Sequence, residues 1–332
     1  PWGIWIAFDV VTGTALACGG YAMALMVYIF NRGHYHPMVR PAILTSALGY
    51  SIAAIAIVID VGRPWLVYRI PISWDKWNLN SARLEVALCV MAYVIVLWIE
   101  MAPAFTDKWQ ESSNTGFATL SRRVGGAIQK SLVFIIALGI VLPTMHQSSL
   151  GSVIMLAGPR LHPLWQTPLL PLLFLVSCIA MGYGVVVLES MLSSRAFRLK
   201  NEDNMLARLG KAIAWLLLAF TAVRIGDIFF QGKSAHLFGA GGMSILFWVE
   251  IAAFVIPAIY FLRPRLTPVY MMRMAGLMLV AGSLYRFNAY LTAFNPGPGW
   301  NYFPSFAEIM ITVGLIAFEV LIYILLVKKF PI

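Results

Sequence analysis

The chain has 332 residues, of which 60% are hydrophobic and only 11% charged, with a net charge of +10. Soluble domains carry roughly 25% charged residues, so the composition excludes a soluble enzyme and indicates an all-α, polytopic membrane protein. Most of the positive excess falls in loops on one side of the membrane, where anionic headgroups account for it and no nucleic acid is needed.

Crossing a bilayer takes about twenty apolar residues. Runs of that kind lie at 5–30, 38–60, 81–101, 128–144, 169–192, 208–230, 243–262, 268–293 and 305–327, which predicts nine transmembrane helices. Alternate loops carry sixteen Lys and Arg residues on one side and six on the other. By the positive-inside rule the first residue faces the periplasm and the C-terminus the cytoplasm. The first residue is Pro1 rather than Met, and a preceding N-terminal helix is expected to be missing.

The first helix carries Asp9 one turn from its outer end, followed by a stripe of Gly13, Ala17, Gly20 and Ala24 that permits close helix approach or leaves room for a flat ligand. After an inner loop with His34 and His36, the second helix closes on Ile59-Asp60-Val61-Gly62-Arg63-Pro64-Trp65. Ionisable groups are expensive there, so Asp60 and Arg63 are functional candidates, with simple mutual neutralisation as the bland alternative. Trp65, Trp74 and Trp77 suit an interfacial segment on the outer surface. The third helix brings Glu85 to its outer third and Glu100 to its inner end, and residues 105–130 read as a long, flexible inner loop. The fourth helix ends near Thr144, so His146, Gln147, Ser148 and Ser149 gather at the outer membrane edge.

The fifth helix carries Glu189 in its inner third. In the sixth, Arg224 and Asp227 are three residues apart, hence on one face and able to pair. Glu250 lies in the seventh helix, Arg286 and Asn288 in the eighth, Glu308 and Glu319 in the ninth. Cys18, Cys89 and Cys178 stand singly in apolar helices, which speaks against a disulfide framework or a cysteine-ligated cluster.

A weak internal repeat underlies these positions. Gly20-Tyr21-Ala22 aligns with Gly182-Tyr183-Gly184, Asp60 with Arg224, and Glu85 with Glu250, at offsets between 162 and 165 residues. This is the kind of repeat from which many transporter-like folds are built. It divides the chain into a first four-helix bundle (1–166), a second (167–303) and a flanking C-terminal helix (304–332).

By depth, most intramembrane charges fall in the outer half, while Glu100, Glu189 and Glu319 mark the inner half. Haem b in a membrane bundle needs helix-borne histidines facing one another. All five histidines here fall in loops or at helix ends, so no haem is expected, and nothing resembles a metal motif. Convergent polar groups at the membrane edge suit a lipid-soluble redox ligand such as a quinone, whose carbonyls need donors and whose reduction needs proton carriers. A proton- or ion-coupled transporter would use the same charges, and charge content alone does not separate the two.

The runs Ala17-Cys18-Gly19-Gly20, Val27-Tyr28-Ile29-Phe30-Asn31-Arg32-Gly33, Ile59-Asp60-Val61-Gly62-Arg63, Leu142-Pro143-Thr144-Met145-His146-Gln147-Ser148-Ser149 and His162-Pro163-Leu164-Trp165-Gln166 resemble the NrfD and PsrC family of quinone-reactive membrane anchors. Within it they resemble the HybB-type integral membrane subunits of hydrogenase-2-type nickel-iron hydrogenases. The resemblance runs from end to end. It implies two four-helix bundles in the bacterial inner membrane and a menaquinone or ubiquinone site at the outer end of the first bundle. It also implies a periplasmic ferredoxin-like iron-sulfur subunit and the hydrogenase small and large subunits as partners. The alternative it leaves is an anchor for a molybdenum oxidoreductase of sulfur compounds. PsrC-like members use an asparagine and a histidine near the first helix, where this chain offers Asp9 and Cys18. The expected quinone-binding residues are Asp9, Asp60, Arg63, Glu85 and His146. A proton path is expected through the second bundle, along Glu100, Glu189, Arg224, Asp227, Glu250, Arg286 and Glu319.

Overall fold

The computed structural model describes residues 3, 5–111, 114–197, 203–239, 241–299 and 302–330, without the side chains of Trp5, Asp60, Phe197 and Asp203. Nine long helices run through the described residues: α1 (Ile6–Ile29), α2 (Val39–Asp60), α3 (Ala82–Trp109), α4 (Thr115–Met155), α5 (Leu170–Phe197), α6 (Asp203–Phe230), α7 (Gly242–Phe261), α8 (Pro268–Phe287) and α9 (Phe306–Lys329). All but α8, which carries Arg273 and Arg286, are long and apolar enough to cross a membrane. Helices account for the backbone because a bilayer offers no solvent to amide groups, so each must be satisfied within its own segment.

Two helix limits differ from the sequence expectation. Residues 105–130 are not a long loop: α3 continues to Trp109 and α4 begins at Thr115, where Asn114 caps it by accepting from the Gly116 and Phe117 amides. At 41 residues α4 is about 60 Å long, twice the roughly 30 Å hydrocarbon core, so its first turns stand beyond the membrane. Polar composition misled here because an exposed helix needs no apolar face. Nor does α4 end near Thr144. It continues to Met155, which places His146 well inside a helix.

α1 is not one regular helix. π-helical turns at Trp5–Thr12 and Leu25–Ile29 flank short α-helical pieces, with an interruption at Ala17 and Cys18. Thr12 Oγ1 donates to the Ala7 carbonyl at 2.8 Å, taking up backbone capacity within the wide π turn. Beside the interruption the Gly20 amide donates to Ser46 Oγ of α2 at 2.8 Å.

α5 is the central helix, packed against α1, α4, α6 and α8. Glycines set these approaches. A Cβ on Gly182 would stand 2.4 Å from the Cys18 carbonyl oxygen of α1, and one on Gly151 of α4 would stand 2.5 Å from the Leu170 carbonyl oxygen. Between α5 and α8 the fit is reciprocal: Met278 fills the space over Gly184, and Met181 the space over Gly282. Outside this core, Val133, Phe134 and most apolar residues of α9 face outward, as bilayer-facing surfaces do.

The two ends are tied differently. At the Lys- and Arg-rich end, Lys108 donates to the Lys329 carbonyl, and Phe105, Trp109 and Phe330 stack together. At the other end the connections interlock: Leu161 and Phe294 form an antiparallel bridge, and Lys233 Nζ donates to the Gln166 carbonyl at 2.6 Å. Trp65 and Trp74 lie on short exposed helical turns between α2 and α3, in keeping with an interfacial segment.

The glycine contacts generate a direct test. Gly182→Ala forces α1 and α5 apart and is expected to cost about 1–3 kcal/mol. Gly276→Ala, whose Cβ meets nothing within 4 Å, is expected to be neutral or mildly stabilising. Thermal unfolding of the two variants in one detergent checks the contrast; equal melting would show that the α1–α5 approach carries no strain.

Candidate functional site

His146 is buried in α4, its ring edge-on to Tyr50 of α2 at 5.8 Å between centroids. Neither ring nitrogen has a hydrogen-bond partner. The next residue, Gln147, donates to Thr14 Oγ1 of α1 at 3.1 Å and to the Tyr50 hydroxyl at 3.3 Å, while its own Oε1 is unpartnered. Tyr50 also meets Cys18 Sγ at 3.4 Å and packs edge-on against Tyr93 of α3. Four helices thus contribute side chains to a buried polar cluster whose free acceptors and donors belong to α4. Buried polar atoms are nearly always paired, so unpaired ones mark a place for water or a polar ligand.

Arg286 of α8 borders this cluster and is fully buried, yet among the described residues no carboxylate pairs with it. Its Nη1 donates to the Val11 carbonyl of α1 and its Nη2 to the Phe174 carbonyl of α5, both at 2.7 Å, with Ser177 Oγ at 3.3 Å. The irregular turns of α1 and the start of α5 supply the acceptors, and the guanidinium plane lies over Phe174.

Arg224 has a different fate. Its Nε donates to Glu250 Oε1 at 3.2 Å, and its Nη2 stands 3.0 Å from the same oxygen as a charge contact off hydrogen-bond geometry. Glu250 Oε2 accepts from Trp165 Nε1 at 3.0 Å and from Asn288 Nδ2 at 2.7 Å. Trp165, Phe247 and Tyr285 surround the cation. With both oxygens engaged, this carboxylate is held in place from three other segments: α6, the loop before α5 and the turn after α8. Asp227, expected to pair with Arg224, instead accepts from Gln231 at 2.7 Å, because the arginine turns inward to α7.

A crevice of about 690 Å³ opens between α1, α2, α5 and α9. It is mostly apolar but holds three acids from three helices: Asp9, Glu189 and Glu319. Asp9 Oδ2 accepts from Thr312 Oγ1 at 3.4 Å, and Glu189 Oε1 accepts from the Tyr323 hydroxyl at 2.5 Å. Glu319 lies against Gly49, where a Cβ would come within 3.2 Å of its carboxylate. Glu100 sits apart, against Gly139 of α4.

The expected quinone residues are therefore not gathered at one point. His146 belongs to the buried cluster, Asp9 faces the crevice, Glu85 is half-buried in the first turn of α3, Arg63 is exposed, and the Asp60 side chain lies outside the described residues. No hydrogen bond or ion pair joins any two of Asp9, Arg63, Glu85 and His146 among the described residues. The seven expected proton-path residues are spread over the crevice, the Arg224–Glu250 pair, the Arg286 tie, Asp227 and Glu100. Sequence reasoning placed Gln147 with His146 but missed Tyr50 and Thr14, and Trp165 as a partner of Glu250. The polar residues after Thr144 were a usable signal; a lone tyrosine in an apolar helix was not.

The profile described as "Polysulphide reductase, NrfD" matches residues 1–294. The chain belongs to the NrfD family. Among relatives, it is 39% identical to the "Probable Ni/Fe-hydrogenase 2 b-type cytochrome subunit" of Escherichia coli K12, over 100% of this chain and 83% of that protein. It is 33% identical to a protein of Nitratidesulfovibrio vulgaris over 100% of this chain and 85% of the other. It is 25% identical to the "Menaquinone reductase, integral membrane subunit" of the same organism, over 99% and 83%. The NrfD assignment makes the chain a multi-pass membrane protein of a redox complex type.

The first of these names overturns the expectation that no haem belongs here, since that relative is called a b-type cytochrome subunit. The premise fails too, because His146 is a buried histidine inside a helix with both ring nitrogens free of partners. Its free ring nitrogens would be the atoms to hold such a group. His162 and His236 form an exposed-side pair with centroids 5.9 Å apart, and His34 and His36 are exposed at the opposite end.

Two measurements test this anatomy. Glu250→Gln leaves Arg224 an unpaired buried cation and should cost about 3–5 kcal/mol, whereas Arg224→Met with Glu250→Leu should recover most of it; thermal unfolding in detergent reads both, and an unchanged melting point for Glu250→Gln would dismiss the pair as a structural lock. In the loop between α4 and α5, partial burial and then the neighbouring His236 hold His162 below the ordinary imidazole value of 6.5. The unfolded chain therefore takes up this proton at higher pH than the folded chain. The stability contribution is complete above 6.5 and is lost as pH falls from there towards the lower folded value. Acidification from about pH 7 to about pH 5 should lower the melting point of the unsubstituted protein more than that of His162→Asn.

Proposed function

We propose that this chain is the membrane subunit of a respiratory nickel-iron hydrogenase complex of the bacterial inner membrane. It takes electrons from a periplasmic iron-sulfur subunit, itself fed by the hydrogenase small and large subunits, and passes them to menaquinone or ubiquinone. The observation that carries this reading is 39% identity across the whole chain to a hydrogenase 2 subunit. A relative named menaquinone reductase supports quinone as the electron acceptor. The first residue faces the periplasm and the C-terminus the cytoplasm, on the strength of the Lys and Arg asymmetry. The family's printed description, polysulphide reductase, favours a second reading as the anchor of a sulfur-compound reductase; co-purifying subunits distinguish the two.

The cluster around His146 is the part of the chain that supports redox chemistry. His146 offers a donor to a quinone carbonyl, with Tyr50 edge-on against its ring and Gln147, bonded to Tyr50 and Thr14, beside it. Arg63 at the outer end of α2 is the second proposed donor, with Asp9, Asp60 and Glu85 as proton carriers. The hydrogenase relative's name also implies haem b; His146, with its free ring nitrogens, would hold the group, which would supply one-electron transfer when bound. Quinone takes two electrons and two protons to become quinol. Drawing those protons from the cytoplasmic side makes the reaction charge-separating.

Membranes lacking this subunit should keep dye-linked hydrogen oxidation and lose quinone-linked oxidation. His146→Ala should lower quinone-linked turnover by about tenfold or more, roughly 1.4 kcal/mol per factor of ten, with the complex still assembled. Quinone reduction surviving deletion of the subunit would sink the assignment; unchanged turnover in the variant would remove His146 from the site.

A further inference from the structure

The crevice between α1, α2, α5 and α9 has a feature that the ion pairs of the bundle lack: its acids are held by hydroxyl groups or by none, not by cations. Among the described residues the recorded ion pairs are Arg40–Asp107 and Arg224–Glu250, and neither involves Asp9, Glu189 or Glu319. Acids in membrane spans that lack a cationic partner face water-filled cavities and mark ion or proton routes. All three of these do face one cavity, of about 690 Å³.

Their order along α9 is regular. Thr312, which donates to Asp9, lies seven residues from Glu319. Tyr323, which donates to Glu189, lies four residues further on, and Lys328 closes the crevice five residues beyond that. At 1.5 Å per residue the steps are about 10, 6 and 8 Å. Such gaps are too long for direct transfer and short enough for one to three water molecules. The space is sufficient, since a water occupies about 30 Å³, and polar atoms punctuate it. Ser193 and Thr45 line the wall. The missing side chain of Gly49 leaves the seat that the Glu319 carboxylate occupies.

We propose that this crevice is the route by which protons reach the quinone chemistry from the cytoplasmic side: from the mouth at Lys328 and Ala196, past Ser193, through Glu189 and Glu319, to Asp9. Each carboxyl group passes its proton outward through water and is recharged from the inner neighbour. Two protons are delivered for each two electrons that arrive through the proposed iron-sulfur partner, and one quinone becomes one quinol. The inference rests on the proposed hydrogen-to-quinone reaction. It moves the proton route from the second bundle, where Glu250 is locked to Arg224, to the seam between α9 and the helices α1, α2 and α5.

The complete complex, reconstituted in vesicles with hydrogen, a short-chain quinone and a potential-sensitive dye, tests it. Turnover should polarise the membrane, and Glu319→Gln should reduce that signal by about tenfold or more. Because Glu319→Gln can fail to assemble, Ala196→Cys supplies a second arm. Ala196 is exposed at the inner mouth, and the native cysteines are all buried. The new thiol should react with a water-soluble methanethiosulfonate reagent, and the potential, normal before modification, should collapse after it. No quinone reduction in the unsubstituted complex would sink the hydrogen-to-quinone reading itself. Quinone reduction with no potential would sink cytoplasmic proton uptake and the route with it. A potential that survives both Glu319→Gln and the modified thiol would overturn the route alone. So would a thiol that stays unreactive, as expected of a crevice filled by a lipid chain, or a potential that requires sodium.

Discussion

A guanidinium inside a bilayer must find its partners within the protein, and Arg286 finds two of them in main-chain carbonyls, while its Nε has none. Its bonds to Val11 and Phe174 tie α8 to α1 and α5. Val11 lies in a π turn of α1 and Phe174 near the start of α5, and a carbonyl oxygen with two lone pairs can accept from the arginine as well as from its own helix. The charge that keeps α8 apart from the eight clearly apolar helices is thus also what holds three helices in register around the cluster of His146.

Close backbone approach is the second constraint. Gly182 lets α5 lie against the Cys18 carbonyl of α1, and the exchange of Met181 and Met278 over facing glycines locks α5 to α8. Hydrophobic burial gives little drive between helices in lipid, so association depends on such contacts and on interhelical hydrogen bonds. Other small residues, Gly13 and Ala17 of α1 and Ala53 of α2, stand at the wall of the crevice. One compositional feature therefore serves both close packing and the bounding of open space.

The buried acids divide by the company they keep. Glu250 has its oxygens committed to Arg224, Trp165 and Asn288, an arrangement that fixes its geometry and holds it charged against a cation. Asp9, Glu189 and Glu319 touch hydroxyls, a glycine seat and a cavity. A carboxyl group inside the bundle thus serves as a lock in one place and as a carrier in the proposed route in another. The difference is the presence of a cation on the facing helix.

The sequence by itself determined that this is an all-helical, multi-pass membrane protein and where most helices lie, because the period and length of apolar runs respond directly to the thickness of a bilayer. Motif runs spread over the whole chain determined its family. It misjudged residues 105–130 and the end of α4, because helix that leaves the membrane loses the apolar signal, and the argument against haem fell with the misplaced His146. Only the tertiary structure decided partners. Arg224 chose Glu250, 26 residues away, over Asp227 on its own face, and Asp9 met Thr312 from the far end of the chain. Spacing along one helix says which side chains share a face; which facing helix brings the matching charge, hydroxyl or empty space is settled by packing alone.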